Sequence, residues 1–491
     1  MRQTRSFLKL DTRRLLTLVF FVLLFTMSVR ELRDPDFWWH LATGRYIWQA
    51  GSIPSHDVFS YTVPHHHWIT HEWLSQVVIW ALYLLGGLPL LILMSSLAIT
   101  LSFALVYVQC EGRPHLAVFA VLLGAVASAV TWGVRPQMFN LLLAAAFTLL
   151  FHLYKFRGRN LLWLYPALTA LWVNLHSGYF LGLVLLGCFI VGEGAQRLLG
   201  RVQERTLTWQ QIRNLAIVLV LSGLAALLNP NTYEILIYPF ETLGSRAMQT
   251  YIQEWASPNF HQAQYWPFAL LLLGTAAAMA LSRQPVDLTD LLLFGGFGMA
   301  GLVSGRHISL FAVVVTPILT RYLVRWPVRG LFPSFQSSAP SRSRGIVTLN
   351  WALLLVIVVV GALRCARVIG NNPRALEEFY PLAALDYVER SDLGQARMYN
   401  SYNWGGYLLW LGYEVYIDGR ADVYGDDFIN EYLLAYHLHG DWRRPLDKYD
   451  VDYVLIESGA AFATLLEESA DWQRVYRDDV AVIFVRVTGE E

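Results

Sequence analysis

The fold class predicted for this chain of 491 residues is an α-helical polytopic membrane protein carrying a small soluble C-terminal domain. Three observations predict it. Hydrophobic residues make up 55% of the chain and charged residues 15%, with a mean hydropathy of +0.40, well to the apolar side of soluble compositions. Apolar runs of spanning length recur from the N-terminus to residue 364 and then stop. The formal net charge of zero conceals a division: residues 1–365 hold 26 Lys+Arg against 14 Asp+Glu, and residues 366–491 hold 11 against 23.

A spanning helix needs about 20 mostly apolar residues, and about 11 segments approach that length. They are 13–30, 88–109, 115–132, 137–154, 160–176, 178–195, 214–230, 265–282, 287–304, 306–323 and 346–364. The first comes after a basic terminus as a signal peptide would. No small-residue cleavage site comes after it, so it reads as a retained helix.

Loop Lys and Arg stay on the cytoplasmic side. Arg2, Arg5, Lys9, Arg13 and Arg14 place the N-terminus there, as do the basic loops Lys155–Arg159, Arg197–Arg213 and Arg321–Arg344. These share one side only if residues 74–110 cross once. Residues 73–86 are therefore expected to form an interfacial helix, with the crossing made by Leu88–Val108. This organisation gives a transmembrane module over 1–364 and an extracytoplasmic soluble domain over 365–491. The first outer loop is 30–73, the second is 229–265, and the linker Gln336–Ser343 is Ser/Pro-rich. The expected location is the cell inner (plasma) membrane, as a multi-pass protein.

In the tail, Leu382–Tyr387, Asp426–Leu438 and Ala460–Glu468 read as helical. Arg397–Tyr399, Glu414–Ile417, Tyr453–Ile456 and Val480–Val487 read as strands, giving a small α/β or α+β domain. Cys110, Cys188 and Cys365 lie in or beside apolar segments and do not form a disulfide framework. No basic stretch interleaved with aromatics exists to bind nucleic acid, and the cytoplasmic loops hold no nucleotide-binding fold.

Eight acidic residues of the membrane part fall on the outer side: Glu31, Asp34, Asp36, Asp57, Glu72, Glu234, Glu241 and Glu254. Asp34-Pro35-Asp36-Phe37-Trp38-Trp39-His40 sets two carboxylates and an imidazole among interfacial aromatics. Ionisable groups at a low-dielectric boundary need a partner or a task. Capping of a short helix is the structural alternative. A carboxylate here suits general-base removal of a proton from an acceptor hydroxyl while a phosphate-bearing leaving group departs. Asp36 is the first candidate base. Asp34, Glu72 and Asp57 are the other candidate catalytic carboxylates.

The run His65, His66, His67, His71 lacks a complete zinc-ligand spacing. A hard divalent cation (Mg or Mn) held by Asp34, Asp36 and a phosphate is the better metal hypothesis, and no cofactor is strictly required. The phosphate needs donors on the same face. Arg135, His176 and Arg306 are candidates, as is Asn174, each with an alternative as an interfacial anchor. In the tail, the Gly405-Gly406 pair reads as a tight bend. Asn403, Trp404, Asp418 and Arg420 are candidates for binding an acceptor, or for folding the domain.

The first-loop pattern resembles that of the GT-C superfamily of membrane glycosyltransferases, which use polyprenyl-phosphate-linked sugars. The likeness is to bacterial members with an Asp-x-Asp-x-Trp-Trp-His motif, and more distantly to protein O-mannosyltransferases and oligosaccharyltransferase catalytic subunits. In the latter an Asp four residues before a His or Asn matches Asp36 and His40, which implies a catalytic or metal-facing role for Asp36. His40 joins Arg135, His176 and Arg306 as a candidate donor-phosphate contact. Ser401-Tyr402-Asn403-Trp404-Gly405 is similar in outline to the Trp-Trp-Asp-Tyr-Gly motif that binds acceptor peptide, but Asn403 stands where the Asp belongs. Peptide-sequon recognition is accordingly not implied.

The expected partners are a polyprenyl-phosphate sugar, a lipid, glycan or protein acceptor, and the bilayer. The competing classes are a lipid-linked glycan flippase, which would carry ionisable residues deep in its spans, and a non-catalytic membrane scaffold with a binding tail.

Overall fold

The computed structural model describes residues 10–112, 114–326, 344–438 and 440–487. Arg2, Arg5, Lys9 and the linker Gln336–Ser343 lie outside the described residues. Each expected span is occupied by a helix, but only six helices are long and apolar enough to cross a bilayer: Trp73–Gln109, Pro114–Thr131, Gln137–Arg157, Tyr179–Leu198, Ala263–Leu281 and Arg344–Phe379. The expected number, about 11, is corrected to these six by length and composition. The other helices, Thr12–Ser28, Leu164–Leu175, Trp209–Ala226, Leu288–Val303 and Ile308–Leu323, are too short or too polar to qualify. Ile308–Leu323 shows why length was misjudged. Nearly all of its residues are buried by neighbouring helices, so its apolar character serves protein packing.

Trp73–Gln109 is broken at Gly86 and Gly87, where Gly87 takes φ 62°, a left-handed conformation that glycine tolerates, just before Pro89. The segment Trp73–Leu85 is thereby set off from the apolar stretch after it. The last long helix, Arg344–Phe379, packs on Thr12–Ser28 and runs unbroken through the 364/365 boundary.

Beyond it lies a mixed four-stranded sheet. Its strands are β1 (Met398–Asn400), β2 (Tyr453–Glu457), β3 (Trp472–Arg477) and β4 (Ala481–Arg486), in the order β1-β2-β4-β3. β1 and β2 are parallel and the remaining pairs antiparallel. Buried Val454, Leu455, Ile483 and Phe484 make the central strands apolar on both faces. Two tail expectations are corrected. Glu414–Ile417 is no strand of this sheet; its Val415 bridges instead to Ser60 of the first loop. Asn400–Tyr407 holds no bend at the glycine pair. Tyr402–Leu411 is a helix, and Gly406 lets it press against the Pro35 carbonyl, where a Cβ would approach to 2.7 Å.

One apolar core fills the helix bundle. A second joins the tail to the first loop: Phe37, Trp38 and Trp39 pack with Tyr380, Trp404 and Tyr407, and the Trp38 and Tyr407 rings meet edge to face at 4.9 Å. The tail is thus fastened to the loop that carries the acidic motif.

Candidate active site

Asp34 and Asp36 enter the site through the start of the helix Asp36–Ala50. Asp34 Oδ1 accepts the Asp36 backbone N–H at 3.1 Å, and Asp36 sits in the first turn, where the helix end favours negative charge. Opposite them, the turn Trp132–Pro136 ends one helix and begins Gln137–Arg157, with the Gly133 carbonyl held by the Ser95 hydroxyl at 3.0 Å. That turn delivers Arg135.

The Arg135 guanidinium gathers three carboxylates. Nη1 donates to Asp36 Oδ2 at 2.7 Å, Nε lies 2.7 Å from Asp34 Oδ2 as an ion pair, and Nη2 donates to Glu254. Arg135 is 7% exposed, whereas Asp34, Asp36 and Glu254 are 19%, 29% and 38% exposed, so the anions face outward from a buried cation. Burial pushes the Asp36 carboxyl up to about 7, with Arg135 opposing and the Asp34 and Glu254 charges assisting. Asp34 is raised in the same way. Glu254 is lowered: its burial is outweighed by Arg135 and Arg306.

Arg135 and Glu254 line an open cavity of about 1110 Å³, together with Trp255, Arg306 and apolar side chains such as Leu141 and Leu181. Arg306 lies 4.3 Å over the Trp255 ring and makes no ion pair among the described residues. Glu254 is fixed by backbone contacts to the 304–307 turn, with Ser304 Oγ donating to the Glu254 carbonyl at 3.1 Å. Asp36 is not in the lining of this cavity; its side chain, 29% exposed, stands beside Arg135, with Trp39 Nε1 as a neighbouring donor and Gly419 of the tail over its Oδ1, where an added Cβ would clash.

The remaining sequence candidates divide into two structural clusters. Glu72 is not beside Asp36. It is buried among three imidazoles, with Oε1 3.3 Å from His71 Nε2 and 3.4 Å from His176 Nε2, and Oε2 3.5 Å from His40 Nδ1. Burial alone would raise Glu72, but the histidines outweigh it and hold it well below the carboxylate range. Burial pushes His40 down to about 3 and His176 to about 4.

His176 Nδ1 accepts the Gly178 N–H at 2.7 Å, which leaves its Nε2 proton aimed at Glu72. His176 borders the cavity, and its Nε2, 3.4 Å from Glu72 Oε1, makes no hydrogen bond among the described residues. His40 is likewise turned into this cluster. Of the two expected phosphate contacts, His40 faces Glu72 and not the cavity, while His176 keeps its place on the cavity wall.

Asp57 is spent elsewhere as well. Arg420, fully buried, donates to both oxygens of Asp418 at 2.8 and 2.7 Å and to Asp57 Oδ1 at 2.5 Å, while Ser60 fills Asp57 Oδ2. This triad clasps the first loop to the tail. Asp418 and Arg420 therefore have no surface for an acceptor, and Trp404, 2% exposed, donates to the Phe379 carbonyl at 2.9 Å. Of the tail candidates only Asn403 is exposed. Asn174 accepts from Trp73 Nε1 at 2.7 Å and acts as an interhelical link.

For the divalent cation, no group of three or more His, Cys, Asp or Glu placed to hold a metal occurs among the described residues. Asp34 and Asp36 are bridged by the Arg135 guanidinium. The residue that sequence reasoning missed is Glu254. It lies more than a hundred residues from Arg135 in a loop without periodic pattern, and its only signal was its place among the outer acids.

Neither a family model nor a curated protein matches the sequence. Solved structures do. The apo oligosaccharyltransferase of Archaeoglobus fulgidus aligns with a TM-score of 0.53 at 11% identity, over 91% of this chain and 70% of its own. Apo ArnT from Cupriavidus metallidurans aligns at 0.50 and 13% identity, over 95% and 96%. The arabinofuranosyltransferase AftD from Mycobacteria aligns at 0.50 and 12% identity, over 98% of this chain and 40% of that longer one. At such identities the likeness is one of fold: a polytopic, mostly helical membrane protein with a small strand-containing C-terminal domain.

Proposed function

We propose that the chain is an integral membrane glycosyltransferase. It moves a sugar from a polyprenyl-phosphate donor to a hydroxyl of a lipid, glycan or protein acceptor on the extracytoplasmic face of the inner membrane. The observation that carries this reading is the set of three carboxylates drawn together by Arg135 at the wall of a cavity that also holds Arg306, a cation without an ion pair among the described residues. The apolar lining suits a prenyl chain, and Arg306 suits the phosphate beside it. The likeness to solved glycosyl- and oligosaccharyltransferases supports the same class.

In the reaction, the acceptor oxygen attacks the anomeric carbon and the bond from that carbon to the phosphate oxygen breaks. The electron pair leaves with the polyprenyl phosphate, countered by Arg306. Asp36, approached over the exposed part of its side chain beside the cavity-lining Arg135, takes the acceptor proton. A carboxyl that titrates near 7 is matched to this task. A single displacement inverts the anomeric configuration.

The test is transfer by the purified protein in vesicles from a panel of radiolabelled polyprenyl-phosphate sugars, with membrane lipid extract as acceptor. Transfer from one of them, with inverted product, is expected. Retention of configuration, or transfer only from nucleotide sugars, would overturn the reading. A flippase is not favoured, because the carboxylates gathered by Arg135 lie beside the cavity and not deep within the spanning helices.

A further inference from the structure

A second cavity, of about 1050 Å³, lies on the far side of Gly133 and Asp34 from the first. Trp132 and Gly133 border both cavities, and a Cβ on Gly133 would meet Asp34 Oδ2 at 2.9 Å, so the partition is thin. The cations of this cavity are Arg30, Arg33 and Arg364, and its anions are Glu31 and Asp34.

The anions are already occupied. Glu31 Oε2 pairs with Arg33 at 2.9 Å and its Oε1 accepts from Asn371 at 2.8 Å, while Asp34 belongs to Arg135. Arg30 and Arg364 form no ion pair among the described residues. Arg30 Nη1 donates to the Ala129 carbonyl at 2.8 Å and its guanidinium stands 5.1 Å from the Trp132 ring centroid. Arg364 Nη1 donates to the Thr26 and Val29 carbonyls. Each arginine is thus held by a backbone carbonyl, with further N–H donors to spare.

Partial burial, and after it the Arg364 charge, disfavours the proton on Arg30. Arg30 follows the helix Thr12–Ser28 and Arg364 lies within Arg344–Phe379; both are exposed, and in the proposed orientation they stand on the outer side, against the tendency of basic residues to stay inside. Guanidinium forks match phosphate oxygens bidentately, as they do carboxylates. Ile92, Ile99 and Val368 on the same cavity give it an apolar flank.

We propose that this second cavity is a phosphate site, in which Arg30 and Arg364 hold the phosphomonoester of a lipid-anchored acceptor while its sugar or glycerol hydroxyl reaches the acidic wall. The proposal rests on the transferase reading of that wall, but its binding step does not.

The test uses native mass spectrometry of the full-length protein in detergent with dioleoyl phosphatidic acid, dioleoylglycerol and inorganic phosphate as probes. Wild type should retain one phosphatidic acid per chain at least tenfold better than the neutral lipid, and R30Q/R364Q should lose that preference. R33Q, whose arginine is already engaged by Glu31, should keep it, and D36N should keep it as well. Equal retention by wild type and R30Q/R364Q overturns the site, as does displacement by millimolar phosphate without any lipid retention. In the transfer assay, R30Q/R364Q should leave the donor KM unchanged; a raised donor KM would give the cavity to the donor and overturn the acceptor assignment. Loss of transfer in D36N with phosphatidic acid still bound separates failure of the site from failure of the chemistry.

Discussion

The helix Gln137–Arg157 carries a buried ion network at each end, and the two are built on different terms. At its C-terminal end Lys155 pairs with Glu193 and, at 2.5 Å, with Asp287. Nearby, Arg321 Nη1 contacts both oxygens of Asp290 at 2.5 Å. The side chains there are at most 10% exposed, and Thr289, Tyr322, Gln196 and the Leu207 N–H supply the remaining hydrogen bonds. At the N-terminal end one guanidinium serves three half-open carboxylates beside a cavity. A network whose carboxylate oxygens are each hydrogen-bonded ties helices together, even though Asp287 and Arg321 border a polar cavity of their own. A network with surplus anions facing a cavity has reactive capacity left over.

That contrast is testable at both ends, beginning with the largest effect. Lys155→Met leaves Glu193 and Asp287 buried without their cation, which should cost about 3–5 kcal/mol of stability, read as a lowered Tm in detergent. Transfer per folded molecule should stay at the wild-type level. An unchanged Tm, or lost transfer at full folding, would mean that the Lys155 network has another role.

Gly419→Ala acts at the open end. Its methyl group would crowd Asp36 Oδ1, which Arg135 keeps from moving aside, and displacing a reacting group by about 1 Å costs on the order of 100-fold in rate. The Tm should not change, and wild-type transfer by this variant would remove the tail from the account of the site.

The pH dependence is the smallest effect. A base acts deprotonated, and burial raises the Asp36 carboxyl to about 7, so kcat/KM should be flat above that pH and fall about tenfold per unit below it. A profile flat down to pH 5 would exclude Asp36 as the titrating group. Lys155→Met should leave the profile where it is.

The outer network was partly legible in the sequence, for a physical reason. Asp34 and Asp36 stand at a membrane edge among tryptophans, where an unpaired carboxylate is costly, and Arg135 ends a helix on the same face. Glu254 was hidden because proximity across a loop leaves no periodic trace. Glu72 and Asp57 were read as chemistry from their place in the same loop, but the loop folds back, and His71, His176 and Arg420 take up their charges. Arg420 is the sharper case: its partner Asp57 lies more than three hundred residues away, so a stretch that looked like a binding surface is a clasp. The other network was invisible because Lys155, Asp287 and Arg321 fall at helix ends, where they read as loop charges. Apolar content also overstated the number of spans, since helices buried by protein and helices facing lipid share one composition.

The central claim is that Asp36 accepts the acceptor proton. Asp36→Asn keeps the shape and an acceptor oxygen for Arg135 but cannot take up that proton. Measured in vesicles beside its Tm and donor binding, transfer by this variant should fall roughly 10²- to 10⁴-fold with both other quantities unchanged, the range expected for loss of a general base. Transfer at the wild-type rate by a folded, donor-binding Asp36→Asn protein would contradict the account.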